Sequence, residues 1–332
     1  MSKARGLADL GNVYDDGALT NRNLIINGAM QVAQRGTSFT ADNVYTLDRW
    51  KSGDGTGGSP NRTLTQEAFT LGQTDVPNAH YFLKHDQTVA NTGANASLIH
   101  KIEDVTKFDG QTVTLSFYAK ADASMDVDVS LIQVFGTGGS PSSSVTLTET
   151  VTIGTSWQKY TVTKTLGSLS GKTLGTDGVP TSSLNLAMVF QSTSTFTFEA
   201  TLFQLEYGDT ATPFEHRSYG DELASCQRYC QKIRTGVDAG FGMYHSYTSS
   251  STYAPIQLPV TMRATPSASI TNSDAVTLFT GGTNYNPSAT TFINASPSSV
   301  EIKFGTTGNA TAGDTGWYRL QAAFTMILNA EL

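Results

Sequence analysis

Gln111–Ala119 reads QTVTLSFYA and, a few residues on, Val127–Val134 reads VDVSLIQV. Apolar and small polar residues alternate in both, the pattern of a strand with one buried face. The same rhythm extends outward. Arg62–Phe69, His80–His85 and Ser97–Ile102 precede the pair; Val145–Ile153, Trp157–Thr165, Leu184–Gln191 and Thr195–Glu206 follow it. Val44–Trp50 (VYTLDRW) alternates too, and Leu24-Ile25-Ile26 runs into Asn27-Gly28, a strong two-residue turn signal. Turn-rich stretches such as Ser52–Asn61 and Phe135–Ser144 separate these segments. About ten to twelve short strands at roughly 8–12-residue spacing predict a two-sheet jelly roll.

One segment breaks the rhythm. Across Asp221–Arg234, Leu223, Cys226, Cys230 and Ile233 recur at helical spacing, with Asp221 placed to cap. After Gly236 the pattern is β again: Phe241–Tyr247, Thr252–Leu258, Ala268–Thr271, Val276–Thr280, Thr290–Ile293, Val300–Phe304, and a long alternating run Trp317–Leu328. The expected protein is all-β: a polar attachment arm at 1–20, a jelly-roll β-sandwich at 21–218, a helical linker at 219–235 and a second, C-terminal β-sandwich at 236–332.

Composition narrows the function. Charged residues are 15% of the 332, below the ~25% of average globular chains, and Gly, Ser, Thr and Asn take their place. With 21 basic against 28 acidic residues the formal charge is −7. No basic cluster exists to displace counterions from phosphates, so nucleic acid is not an expected partner. No run approaches ~18 apolar residues, so no membrane insertion is expected, and Met1–Val13 lacks the apolar core of a secretory signal. Two cysteines four residues apart cannot staple a chain of this size. These features fit assembly in a reducing cytoplasm.

Catalytic signatures are missing: there is no GxxxxGK[ST], HExxH or GxSxG. GDGTGG at Gly53–Gly58 precedes no helix and reads as a turn. His80 and His85 face opposite sides of a strand, while His100, His216 and His245 show no ligand spacing. Asp126 and Asp128 read as a solvated strand face. Asp104 and Asp109 are better placed for a structural calcium, yet no metal is assigned. Cys226 and Cys230 read as small buried hydrophobes. No catalytic residue and no cofactor is expected.

Three further stretches carry a likeness: Asn21–Thr37 (NRNLIINGAMQVAQRGT), Phe198–Ser218 (FEATLFQLEYGDTATPFEHRS) and Glu222–Ile233 (ELASCQRYCQKI). Together they resemble the virion fibre and receptor-binding proteins of tailed bacteriophages, which hold a carbohydrate-binding-module-like jelly roll between such segments. Asp48-Arg49-Trp50, Ile102–Lys120 (IEDVTKFDGQTVTLSFYAK), Ser156–Tyr160 (SWQKY) and Leu258–Pro266 (LPVTMRATP) look like further family steps. The likeness is broad over 9–235 and thin beyond Pro266. It implies a virion protein assembled in the host cytoplasm, a homotrimer, contacts to other virion proteins through residues 1–20, and attachment to bacterial surface polysaccharide or lipopolysaccharide. Two alternatives stand beside it, a capsid or tail decoration that connects subunits and a glycan-cleaving enzyme.

A protein that reads sugars needs flat aromatic faces for C–H groups and polar partners for hydroxyls. The C-terminal region offers Tyr244, Tyr247, Tyr253, Tyr285 and Trp317, with Phe241 nearby, among Ser, Thr and Asn. His245–Tyr253 (HSYTSSSTY) is the most tip-like segment, mixing rigid aromatics with adaptable small polar residues.

Overall fold

The computed structural model describes the chain except for residues 1–20, 55–61, 91–95, 178–180, 191–193, 235–238, 272–275, 281–282, 307–309 and 321–324. The expected arm therefore lies outside the described residues. The all-β expectation is met: antiparallel strands form four sheets, with one α-helix and one 3₁₀ turn among the described residues. The chain divides between Glu222 and Leu223 into two compact units, Leu332 grouping with the first.

The first unit is a sandwich of two sheets. One runs, edge to edge, Ser38–Phe39, Arg62–Ala68, Tyr81–Gln87, Phe196–Tyr207, Thr112–Ala121 and Gln158–Thr165. The other runs Trp50–Asp54, Ala96–Glu103, Ser183–Phe190, Met125–Val134 and Val145–Ile153. The alternating residues of the sequence point inward: Leu115 and Phe117 from one sheet, Val127, Val129 and Leu131 from the other, all buried in one core. Trp50 crosses that core, its ring 4.7 Å from Phe203, which stacks on Phe117 at 5.2 Å. Fully burying side chains of this kind stabilises by about 1.5–3 kcal/mol each.

Two expected strands are absent. Leu24–Ile26 and Val44–Arg49 belong to no ladder, apart from an isolated bridge between Tyr45 and Lys51. Arg49 has φ 71°, and Trp50 N donates to Leu47 O at 2.8 Å, so the chain turns back before the strand that starts at Trp50. A buried backbone without a ladder still needs partners, and side chains provide them. Asn23 Oδ1 accepts from Ile25 N (2.9 Å) and Leu205 N (3.2 Å), while its Nδ2 donates to Phe203 O (3.0 Å). Asn27 Nδ2 donates to Val32 O (2.8 Å) and Asp48 O (3.0 Å). Trp50 Nε1 donates to Asn27 O at 3.0 Å, and Glu222 accepts from Asn27 N. Gln204 Oε1 accepts from Glu215 N at 2.7 Å. Asn21–Thr37, Phe198–Ser218 and Glu222 thus meet one another through buried and half-buried polar contacts.

The helix is shorter than expected. It spans Tyr219–Gln227, and its cap is Ser218, not Asp221: Asp221 N donates to Ser218 Oγ (3.2 Å), which donates to Asp221 Oδ2 (2.6 Å). Cys230–Arg234, read as helix from its spacing, is a strand paired along Thr325–Asn329. Consecutive burial of Tyr229, Cys230 and Gln231 shows why. This segment is covered on more than one side, and a ladder satisfies its backbone there.

The second unit pairs a three-stranded sheet (Cys230–Arg234, Thr325–Asn329, Ser267–Thr271) with a seven-stranded one. The latter runs Thr283–Tyr285, Val276–Thr280, Thr315–Leu320, Ala239–Thr248, Ser251–Gln257, Ser299–Gly305 and Ala289–Ile293. Met326 and Leu328 from the small sheet share a core with Ile302, Phe304 and Tyr318 from the large one. The run Trp317–Leu328, expected as one strand, is two strands in different sheets. Its unbroken alternation reflects two inward faces of one core.

Candidate functional site

Period-two alternation sorts the seven-stranded sheet into a core face and an outer face. Thr315, His245, Tyr253, Lys303 and Thr291 are successive cross-strand partners and so form one outer row. Beside it, Phe279, Trp317 and Met243 form another. Met243 is 74% exposed, Tyr247 70% and Trp317 48%, which makes this face unusually rich in uncovered apolar surface.

The hairpin His245–Tyr253 walls a shallow part of this face. His245 pairs with Tyr253 across it, and the rings of Tyr247 and Tyr253 meet edge to face with centroids 6.3 Å apart. These residues, with Ile293, Asn294 and Glu301, line an open groove of about 490 Å³, within the ~300–1,000 Å³ range of ligand sites. Asn294 adopts φ 47° and donates from Nδ2 to Glu301 Oε2 at 2.7 Å, which fixes both polar groups at the rim. Lys303 Nζ stands 5.9 Å from the Tyr253 ring centre. Along the same face, Phe279 and Trp317 stack in parallel, 4.2 Å apart and 5° from coplanar. The arrangement presents aromatic faces beside an amide, a carboxylate, an imidazole and an ammonium.

Of the five aromatics singled out in the sequence, Tyr247, Tyr253 and Trp317 lie on this outer face. Tyr244 and Tyr285 do not. They are 2% and 8% exposed, on the core side of the sheet, with hydroxyls 3.3 Å apart. Alternation inverts Tyr244 relative to its neighbours, and burial raises its phenol pKa, helped by the Tyr285 hydroxyl. Burial removes both from contact with a dissolved ligand, which corrects their assignment. The side chain of Phe241 lies outside the described residues. Asn294, Glu301 and Lys303 went unnoticed because they lie on or beside the strands Ala289–Ile293 and Ser299–Gly305, far in sequence from the hairpin and with no local motif.

Other sequence candidates have structural partners. Asp126 and Asp128 accept from Thr152 and Thr150 across the strand pair, each at 2.6 Å. Asp104 accepts from Thr106 N, and Asp109 accepts from Leu169 N at 2.7 Å. Among the described residues no group of three or more His, Cys, Asp or Glu could hold a metal ion. Cys226 and Cys230 are buried and not disulfide-bonded. No helix among the described residues is long and apolar enough to cross a membrane.

No family model and no curated protein matches this chain in sequence. Solved structures do show likeness, over roughly half the chain. An enzymatically active domain of tailspike protein 4 from bacteriophage CBA120 aligns with 56% of this chain and 22% of its own, at 13% identity and TM-score 0.37. The family 11 carbohydrate-binding module of a Clostridium thermocellum cellulosomal cellulase aligns with 53% of this chain and 98% of its own, at 12% identity and TM-score 0.33. The N-terminal cellulose-binding domain of β-1,4-glucanase C from Cellulomonas fimi covers 45% and 90%, at 14% identity and TM-score 0.31. At these scores the functional reading rests on the chain's own residues.

Proposed function

We propose that this protein is a non-catalytic attachment protein of a bacteriophage virion that holds bacterial surface polysaccharide or lipopolysaccharide through many weak contacts. The observation that carries the reading is the outer face of the seven-stranded sheet, where Tyr247 and Tyr253 wall a groove and Phe279 and Trp317 stack beside it. Aromatic faces flanked by small polar groups suit sugar rings, whose C–H faces are apolar and whose rims are hydroxylated.

A single shallow site of this kind binds near the millimolar range, about −4 kcal/mol. Multivalency corrects that weakness, since linked sites raise avidity by about 10²–10⁴. The reading therefore includes a homotrimer, with residues 1–20 joining it to other virion proteins. Purified protein should elute as a trimer in light scattering and bind bacterial cells and their extracted polysaccharide. It should release no reducing ends. A monomer that ignores every surface polysaccharide tested would count against the proposal; steady release of reducing ends would replace it with a glycan-cleaving enzyme.

A further inference from the structure

We propose that a cleft of about 390 Å³ in the first unit, lined by His80, His216, Gln31, Asn78 and Phe214, binds an anionic sugar unit, one carrying a carboxylate or a phosphate ester. The inference rests on the glycan reading above and names a sugar class for it, at a separate site.

The cleft is formed where the loop before Tyr81 and the segment Pro213–Arg217 pass over the six-stranded sheet, above a small apolar cluster of Val76, Ala79 and Leu202. A second cleft of about 190 Å³ shares Asn78, Phe214 and His216 and adds Lys159 and Tyr118. Among the described residues, the side chains of Gln31, Asn78, His80 and His216 make no hydrogen bond to the protein. Four polar side chains thus line one space with their hydrogen-bonding groups uncommitted to the protein, so a ligand with several polar atoms can engage them together. The ring of Phe214, edge-on to His216 at 4.9 Å, adds an apolar surface.

Charge decides the class. Glu222 and Arg217 also line the cleft, and both are engaged: Glu222, its pKa raised by burial, accepts from Asn27 N and lies 3.6 Å from Arg217, while Glu215 accepts from Asn23 N at 2.8 Å and lies 3.8 Å from Arg217. Arg217 is spent on them and on the Asn23 and Ile25 carbonyls. Lys159 uses one Nζ hydrogen on Thr212 O (3.0 Å) and keeps two. The uncommitted charge at the clefts is thus the Lys159 ammonium, with two imidazoles beside it able to donate N–H bonds, and the set suits an anion. Burial, and then the neighbouring His80, hold the His216 pKa below its ordinary value. An anion bound beside His216 favours its imidazolium form, so binding takes up a proton there and strengthens as pH falls.

The test is a ligand-observed NMR titration of the full chain with glucuronate, glucose 6-phosphate and glucose. Glucuronate keeps a constant charge between about pH 5.5 and 7.5, so it reads the protein's titration alone. We expect glucuronate or the phosphate ester to bind at least roughly tenfold better than glucose, the pair telling carboxylate from phosphate. Glucuronate affinity should rise roughly fivefold from pH 7.5 to 5.5, within the tenfold per unit that one proton allows. His80→Ala and His216→Ala, at exposed positions, should lose that binding with an unchanged melting temperature; His216→Gln should keep part of it and flatten the pH trend. Tyr247→Ala should bind glucuronate as the parent does, even where it loses polysaccharide, which separates this site from the sheet face. Equal binding of glucose, a flat pH profile in the parent, or parent-like binding by both histidine variants would overturn the assignment.

Discussion

Gly28 and Phe203 hold their backbones against each other. Phe203 N donates to Gly28 O at 2.9 Å, and a Cβ on Gly28 would collide with Phe203 O. The contact lies at the bulge between Thr201 and Gln204, where Leu202 has φ 52° and the long strand changes which residues face inward. Backbone cannot move aside as a flexible side chain can. Gly28→Ala should therefore destabilise by about 2–3 kcal/mol, read as an earlier midpoint in chemical denaturation. A parent-like midpoint would mean that the bulge relaxes freely.

Trp50 and Trp157 should respond differently to substitution. Trp50 is fully buried and donates to Asn27 O; Trp157 is half-buried beside Phe69 and Phe82, under Lys120. Trp50→Phe leaves a buried carbonyl short of a donor, a loss of about 1–3 kcal/mol. Trp157→Phe should cost less than about 1 kcal/mol. Equal effects on the melting temperature would contradict this ranking.

Acid should weaken the first unit. Burial, reinforced by Arg62, lowers the His85 pKa to about 3, and burial beside Arg49 lowers that of His100. Both are basic groups depressed in the folded state, so the unfolded chain binds more protons once pH drops below about 6.5. Stability is full above that value and declines toward pH 3, by about 2 kcal/mol at pH 5 from His85 alone. His85→Leu, in a site between Phe190 and Phe196, should flatten the melting profile between pH 7 and 5. An unchanged slope in that variant would remove His85 as the cause.

Cys226 and Cys230 are each fully buried. A thiol reagent should label neither under native conditions and both in denaturant. Rapid native labelling of either would show that the helix end opens readily.

Fold class was legible because alternation is a local property, and VDVSLIQV shows it without help from its neighbours. Connectivity was less so. Trp317–Leu328 alternates across a sheet change because both halves face one core. Cys230–Arg234 has helical spacing by coincidence, and its pairing with Thr325–Asn329, almost a hundred residues away in sequence, overrides it. The site was half legible for the same reason. Tyr247 and Tyr253 sit on one hairpin whose polar, aromatic composition is visible locally; Asn294 and Glu301 join them only through two further strands. Tyr244 was misplaced because an aromatic on either face of a strand looks alike until the register is known.

The central claim is tested most directly by surface plasmon resonance of the purified protein over immobilised bacterial surface polysaccharide. Tyr247→Ala, Tyr253→Ala and Trp317→Ala are compared with the parent at equal melting temperature. The outer-face account predicts at least about tenfold weaker binding for Tyr247→Ala and Tyr253→Ala, roughly the loss of one stacking contact at each multivalent site, with a smaller loss for Trp317→Ala. Binding by all three variants at parental strength would contradict it.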